Sequence, residues 1–166
     1  MTASEHTANI QNNTKEPKLW QVSLALCLIS VLLGVAILFI EEILGVVMPN
    51  SGVLSTVIPT MLTGFYFGHK NEVLMVSRTR WLAVMVWTGA SLLYVAGIMR
   101  FYEFTLADLT AEFGSVFLWI GFAFLLIMTV VSYFMIKSGE KMGIKNRVKV
   151  REKQLAKQQA KEKQSV

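Results

Sequence analysis

The sequence predicts an all-α integral membrane protein with four transmembrane helices and both termini in the cytoplasm. Two observations lead to this fold class. First, 54% of the 166 residues are apolar, and they are concentrated in four segments that carry almost no charge. Second, lysine and arginine lie at alternating ends of those segments, as in multi-pass membrane proteins. The mean hydropathy of the chain is positive, which is unusual for a soluble domain of this length.

The four apolar segments cover residues 20–40, 53–68, 81–99 and 116–136. The first, third and fourth reach or approach the roughly 20 residues that a bilayer core requires. The second is shorter, so it is either a short span or a re-entrant segment buried by its neighbours. We favour a full span because a fourth crossing makes the charge pattern consistent. The transmembrane domain is therefore expected to occupy residues 19–138.

The charges predict the orientation of these spans. All but one of the 16 Lys and Arg residues precede the first segment, lie between the second and third, or follow the fourth. The exception is Arg100. The loops after the first and third segments instead carry acidic residues, namely Glu41, Glu42, Glu103, Asp108 and Glu112. The positive-inside rule then predicts a multi-pass protein of the bacterial inner membrane with cytoplasmic termini.

The N-terminal stretch 1–18 is polar and is expected to be a disordered tail. It lacks a basic start, and no small-residue cleavage site follows the apolar run after Lys18, so it does not have the pattern of a signal peptide. Trp20 then marks the inner interface of the first span. Cys27, the single cysteine, is interpreted as a small apolar filler, since one cysteine forms neither an internal disulfide nor a metal motif.

The second segment has a small residue at every fourth position. A helix places such residues on one face, where they form a shallow groove that lets another helix approach closely. We therefore expect helix packing along this groove and expect the other three spans to surround this helix. Pro59 removes one backbone donor and predicts a helix kink. The groove residues are Gly52, Thr56, Thr60, Gly64 and Gly68.

A polar cluster is predicted at the outer ends of the spans, formed by Glu41, Glu42, Arg100 and Glu103. One interpretation is a set of solvated interfacial charges. The other is that Glu41 or Glu42 faces the bundle and guards a polar entrance, since ionisable groups at membrane depth are costly and usually functional. None of the four segments contains an acid in its interior, which argues against a coupled ion transporter.

The C-terminal stretch 139–166 is expected to be a basic cytoplasmic tail, either an exposed helix or disordered, loosened at its start by Gly139 and Gly143. Its lysines and arginines would attract anionic lipid, dock an acidic partner or simply fix the topology. Nucleic acid is not an expected partner, because no aromatic residues interleave with the charges.

No catalytic motif is present. The chain has no Ser-His-Asp order, HExxH, Walker-type loop or CxxC, and its only histidines are His6 and His69. We therefore predict a non-enzyme without a cofactor or a metal.

The chain resembles a family of small bacterial inner-membrane proteins with an ABZJ-type locus name. The resemblance covers residues 18 to 145 and includes a polar loop that leads into a Trp-led third span. Its other features are Ser51-Gly52, Pro59, Gly64-Phe65 and a Tyr133-bearing last span that runs into a Lys-rich end. The family has no assigned activity, so the resemblance implies four spans and a bacterial inner membrane but no function.

Three functions are consistent with these features. The first is a small accessory protein of unknown process that binds another membrane protein through the groove of the second span. The second is a small transporter or channel, a homo-oligomer because four spans enclose little space, with Glu41, Glu42 and Arg100 at its outer mouth. The third is a membrane immunity or exclusion protein, by analogy with pore-forming colicin immunity proteins of similar size and span count.

Overall fold

The computed structural model describes residues 16–45, 51–103 and 105–164, and within these ranges the chain is helical with no strand. The predicted all-α fold class is confirmed. A short helix, α4, lies on the connection between α3 and the long last helix. The helices are α1 (Leu19–Leu44), α2 (Ser51–Asn71), α3 (Ser77–Phe101), α4 (Leu106–Phe113) and α5 (Ser115–Gln164).

Three helices in the described part of the chain are long and apolar enough to cross a membrane, over Leu19–Ile43, Ser77–Phe101 and Ser115–Ala160. They contain the first, third and fourth predicted spans. Helix α2 has 21 residues, which is about 31 Å of helix and sufficient length for a crossing. It is not among the three because threonine, glycine and Pro59 dilute its apolar content.

Helices α1 and α3 run in the same direction. At their starts, the Val76 amide donates a hydrogen bond to the Glu16 carboxylate at 2.9 Å. Further along both helices, the Trp87 indole Nε1 donates to the Ser30 hydroxyl at 3.0 Å. The two contacts have nearly the same sequence offset, as parallel neighbours require.

Helices α2 and α5 also run parallel to each other. Gly64 faces the backbone of Ile136, and Gly68, one turn later, faces the backbone of Glu140. The start of α3 contacts α5 at Tyr133 and Glu140, whereas the later residues 87–95 of α3 share a cavity wall with the earlier residues 124–129 of α5, so α3 is antiparallel to α5. The four long helices therefore alternate in direction along the chain.

This arrangement gives the molecule two chemically different ends. The basic end consists of the starts of α1 and α3, the end of α2 and residues 133–143 of α5. It carries Lys18, Lys70, Arg80, Lys137 and Lys141. The acidic end consists of the end of α1, the end of α3, α4 and the start of α5. It carries the acidic loops that the sequence analysis placed outside.

The buried core lies at the basic end. Seven apolar side chains are buried there, namely Val22, Leu26, Phe67, Met75, Ala83, Val84 and Ile136. Towards the acidic end the apolar side chains are exposed, with Leu38 at 66%, Leu93 at 76% and Trp119 at 74%. The bundle is therefore packed at one end and open at the other.

Helix α2 packs against α1 and α5, and within the described residues it makes no contact with α3. The expectation that all three other spans surround α2 is wrong for α3. The reason is that α3 is held elsewhere, to α1 by the Trp87–Ser30 hydrogen bond and to α5 through Tyr133.

The structure describes parts of both predicted tails. Helix α5 continues through Gly139 and Gly143 to Gln164, so the expectation that these glycines loosen the chain is wrong: both pack against α2. At the other terminus, residues 1–15 of the predicted tail lie outside the described residues. Pro17 is buried and Glu16 binds the start of α3, so this short segment belongs to the packed unit. Residues 46–50, between α1 and α2, also lie outside the described residues.

Candidate functional site

Two glycines of α2 contact α5 directly through the backbone. A Cβ atom added to Gly64 would overlap the Ile136 carbonyl, with the carbonyl carbon only 2.9 Å away. A Cβ atom added to Gly68 would lie 2.7 Å from the Cα atom of Glu140. No side chain fits at either position without separating the helices.

Two glycines of α5 likewise lie directly against the backbone of α2. A Cβ atom added to Gly139 would lie 2.9 Å from the amide nitrogen of Phe65, and one added to Gly143 would lie 2.7 Å from that of His69. We call the four residues Gly64, Gly68, Gly139 and Gly143 the glycine interlock. Each helix supplies a Gly-xxx-Gly pair, and such pairs permit close backbone approach between membrane helices.

The interlock divides the predicted groove of α2 into two parts. Thr60, Gly64 and Gly68 form its inner part, which is buried. Gly52 and Thr56 form its outer part: nothing lies within 4 Å of a Cβ added to Gly52, and Thr56 lines an open cavity. The inner part of the groove is thus occupied by this chain's own α5.

Thr60, next to Pro59 on the groove helix, uses its side chain to bond the helix backbone. The Thr60 hydroxyl lies 3.0 Å from the Thr56 carbonyl and 2.8 Å from that of Val57, and donates to them. Pro59 is buried, and α2 continues through it as a helix. The threonine hydroxyl supplies a donor close to the position where proline removes one.

A buried ion pair lies next to the interlock at the basic end. Arg80 Nε of α3 is 3.2 Å from Glu140 Oε2 of α5, and the two side chains are 6% and 0% exposed. Arg80 also donates to the Tyr133 hydroxyl at 3.3 Å and to the carbonyl of Met75. Breaking such a pair leaves an uncompensated charge inside the protein, which is strongly destabilising.

Tyr133 attaches the start of α3 to α5 in three ways. Its hydroxyl is hydrogen-bonded to the Ser77 hydroxyl at 2.9 Å. Its ring stacks on Trp81 with centroids 4.6 Å apart, and the Arg80 guanidinium lies 5.5 Å from the same ring. From the sequence, Tyr133 was noted only as a feature of the last span, and none of these contacts was predicted.

Sequence reasoning missed the Arg80–Glu140 pair because both residues lie in basic stretches. Arg80 was counted among the loop charges that set the topology, and Glu140 was included in the basic tail. A signal was present: Glu140 is an isolated acid between Lys137 and Lys141, one helical turn after Ile136. Together with the neighbouring glycines, that spacing continues the packed face of α5.

The four residues of the predicted outer cluster, Glu41, Glu42, Arg100 and Glu103, all lie at the acidic end of the molecule. Glu42, Arg100 and Glu103 are exposed at the acidic end. No ion pair in the described ranges joins the Arg100 side chain to Glu42 or Glu103. Glu41 is half-buried at the same end.

An open cavity of about 700 Å³ lies between α1, α3 and α5, with the first turns of α2 at its edge. The described residues that line it include no charged side chain. Small residues from different helices line its wall, namely Ser30, Gly34, Thr56, Ala90, Ser91 and Thr129. The arrangement can hold an apolar body and offers nothing that would stabilise an ion.

Three hydroxyl groups in this wall donate to carbonyls of their own helices, whereas the buried hydroxyl of Thr88, which also lines the cavity, has no hydrogen-bond partner among the described residues. Ser30 donates to Leu26 and Thr129 to Leu125, both at 2.8 Å, and Ser91 donates to Trp87 at 3.0 Å. This is how hydroxyl groups are satisfied where water is absent. Apart from the Thr88 hydroxyl, the cavity wall is therefore mainly an apolar surface.

The short helix α4 at the acidic end begins with a capping box. The Asp108 amide donates to the Thr105 hydroxyl at 3.2 Å, and the Thr105 amide and hydroxyl donate to the Asp108 carboxylate at 2.7 and 2.6 Å. The hydroxyl bond, followed by the amide bond, lowers the pKa of the Asp108 carboxyl below its ordinary value.

Comparison with known proteins gives no relative: no family model, no curated protein and no solved structure matches the chain. Among the described residues, no group of three or more His, Cys, Asp or Glu side chains is placed to hold a metal ion.

Proposed function

We propose that this chain is a four-span protein of the bacterial inner membrane, with its basic end and both termini in the cytoplasm. Three helices have the length and composition of spans. The alternating directions of the four long helices and the concentration of Lys and Arg at one end support a fourth crossing by α2 and this orientation. Contact with α1 and α5 buries the face of α2 that carries Pro59, Thr60 and Thr63, which makes these residues acceptable in a membrane.

Within that membrane we propose an accessory role without catalysis, in which the chain binds a transmembrane helix of another membrane protein. The observation that carries this proposal is the uncharged cavity between α1, α3 and α5. Gly34 and Ala90 present small surfaces there, and the outer part of the groove, Gly52 and Thr56, adjoins it. Small residues allow close helix approach, which drives association in lipid.

The cavity is a better partner site than the inner groove. Gly64 and Gly68 are in backbone contact with α5, so a partner helix there would have to displace part of this chain. The cavity needs no such displacement, because its wall is already open. The partner is therefore expected to contact the half of the molecule nearest the acidic end.

Site-specific photocrosslinking in native membranes tests this proposal. A benzoylphenylalanine is introduced at Val35 or Leu92, which line the cavity. The matched controls carry it at Leu32 or Leu93, which are close to these positions in sequence but are exposed and do not line the cavity. We expect adducts with one membrane protein from the two cavity positions and lipid adducts alone from the two controls.

The same experiment can contradict the proposal. Lipid adducts alone from all four positions would show that no partner helix occupies the cavity. An adduct with twice the mass of the chain would identify the partner as a second copy, and mixing tagged with untagged chains would verify this.

A second candidate function is a small transporter or channel, and one observation favours it. The cavity lies on the acidic-end side of the buried core, while the Arg80–Glu140 pair and the interlock fill the basic end. Because the lining is uncharged, its substrate would be an apolar molecule. Glu41, Glu42 and Arg100 would then lie near the outer mouth.

Release of a neutral fluorescent probe, N-phenyl-1-naphthylamine, from proteoliposomes tests this alternative. Filling the cavity with Ala90→Trp should abolish protein-dependent release, whereas Leu93→Trp on the outer surface should leave it unchanged. Equal release by parent, A90W and protein-free vesicles would reject the transporter function.

A further inference from the structure

A second cleft, of about 660 Å³, lies at the basic end beside the last turns of α2. Its rim is formed by three residues that carry or can carry positive charge, His69, Lys70 and Arg147. The apolar part of its lining is formed by Ile29 and Leu62, and Phe65 and Tyr66 add two aromatic rings. The cleft belongs neither to the interlock nor to the cavity between α1, α3 and α5.

Along one face of α2, the lining of the cleft changes from charged to apolar. Leu62, Tyr66 and Lys70 follow one another at intervals of four residues, so they share a face of α2. Leu62 precedes Lys70 by two turns, which places it about 12 Å further towards the middle of the bundle. A ligand in this cleft would meet cations at one end and an apolar wall at the other.

The rim cations differ in their existing partners. Arg147 pairs with Glu72 at 3.2 Å, and Glu72 also pairs with Arg151, so one carboxylate is shared by two arginines. The Lys70 ammonium lies 5.6 Å from the centre of the Tyr66 ring and forms no ion pair within the described residues. The single carboxylate leaves positive charge in excess at the rim.

We propose that this cleft binds an anionic phospholipid from the inner leaflet. Lys70 and Arg147 would hold the phosphate, and an acyl chain would lie along Leu62 and Ile29. Charge complementarity and the apolar wall both favour a lipid over a soluble phosphate, which would leave the wall unused. The proposal rests on the membrane embedding proposed above but is independent of any partner helix.

Native mass spectrometry of the detergent-purified full chain tests it, with dioleoylphosphatidylglycerol and dioleoylphosphatidylcholine as probes. We expect the anionic lipid to bind roughly tenfold or more tightly than the zwitterionic one, since hydrogen bonds to charged groups are the stronger class. Lys70→Gln combined with Arg147→Gln should reduce this preference to about twofold or less. Lys70→Arg alone should retain it, because the cation is preserved.

The matched control is Lys153→Gln with Lys157→Gln, which removes two exposed charges from the same tail helix outside the cleft. It should keep the full preference. Equal losses in the two double variants would mean that the tail attracts lipid by net charge alone and would overturn the site. Glycerol 1-phosphate binding as tightly as the lipid would overturn the assignment to a lipid. Size-exclusion profiles like that of the parent show that the variants are folded.

Discussion

The two ends of this molecule are built from the same helices but differ in how closely those helices pack. At the basic end α2 and α5 touch through their backbones, and an ion pair is buried beside them. At the acidic end α1, α3 and α5 diverge around a cavity and expose most of their apolar side chains. Hydrophobicity alone does not explain this difference, since the diverging halves are the more apolar ones.

The surroundings of the glycines explain why the helices pack closely at the basic end only. Gly64, Gly68, Gly139 and Gly143 would each bring a Cβ atom into the opposing backbone, whereas Gly34, Gly89, Gly97 and Gly121 have nothing within 4 Å. In lipid, apolar surface gives no net drive for helices to associate, so close packing and polar contacts decide where they meet. Paired glycines at matching heights provide that packing at one end only.

The largest expected effect is from filling the interlock. Gly64→Leu with Gly68→Leu places two side chains into the α5 backbone. Each overpacked contact costs about 1–3 kcal/mol or more, so the double variant should lose about 5 kcal/mol of unfolding free energy. Unfolding in mixed micelles followed by circular dichroism measures the loss.

The matched control places the same side chain at open glycines. Gly89→Leu with Gly97→Leu should leave the unfolding free energy unchanged or raise it, because leucine has the higher helix propensity and no neighbour is displaced. Equal destabilisation of both double variants would show that the interlock is not what separates the two ends.

The next effect is from breaking the buried ion pair. Glu140→Gln leaves the Arg80 guanidinium buried without its counter-charge, and should cost about 3–5 kcal/mol. Arg80→Met combined with Glu140→Met removes both charges and should recover most of that loss. A double-mutant cycle on unfolding free energies checks this, and simple additivity of the single losses would contradict the buried pair.

A smaller effect is expected where α3 meets α1. Trp87→Phe removes the indole donor to Ser30 and keeps most of the apolar ring. Hydrogen bonds between membrane helices are worth on the order of 0.6 kcal/mol on average, so a loss of about this size is expected in unfolding free energy. Trp119→Phe, at an exposed site on α5, serves as the control and should be neutral. If both variants lose a similar amount of unfolding free energy, the Trp87–Ser30 hydrogen bond does not contribute to stability.

The smallest effect is at the acidic end, where α4 depends on a local cap. Because hydrogen bonding from Thr105 lowers the Asp108 pKa, the cap stabilises α4 above the ordinary carboxyl pKa and loses that contribution as pH falls through the lowered value. Thr105→Val should raise the Asp108 titration midpoint in a carbon NMR titration. An unchanged midpoint would show that the hydroxyl does not perturb this carboxyl.

Much of the helical layout follows from the sequence because it depends on local composition. The first, third and fourth apolar segments fall inside α1, α3 and α5, and the small-residue spacing of α2 pointed to Gly64 and Gly68. Such periodic patterns identify a packing face without knowledge of what covers it.

The part of α5 that covers the α2 groove was not predicted, because its two glycines lie in a polar stretch of the sequence. Gly139 and Gly143 lie among lysines, so their composition indicates a tail, although their four-residue spacing matches that of α2. The ion pair was missed for a related reason: the partners are 60 residues apart in sequence, and no local pattern joins Arg80 to Glu140. The open cavity depends on helix divergence, which residue periodicity does not describe.

Pulsed electron spin resonance on spin-label pairs tests the contrast between the two ends most directly. In a Cys27→Ser background, one pair replaces Lys70 and Lys145 at the basic end, and the other replaces Leu93 and Trp119 towards the acidic end. All four positions are exposed, and each pair joins the last helix to another. With single chains in lipid nanodiscs, a narrow distance distribution is predicted for the first pair and a broad one for the second. A narrow distribution at the acidic end, or a broad one at the basic end, would contradict the account.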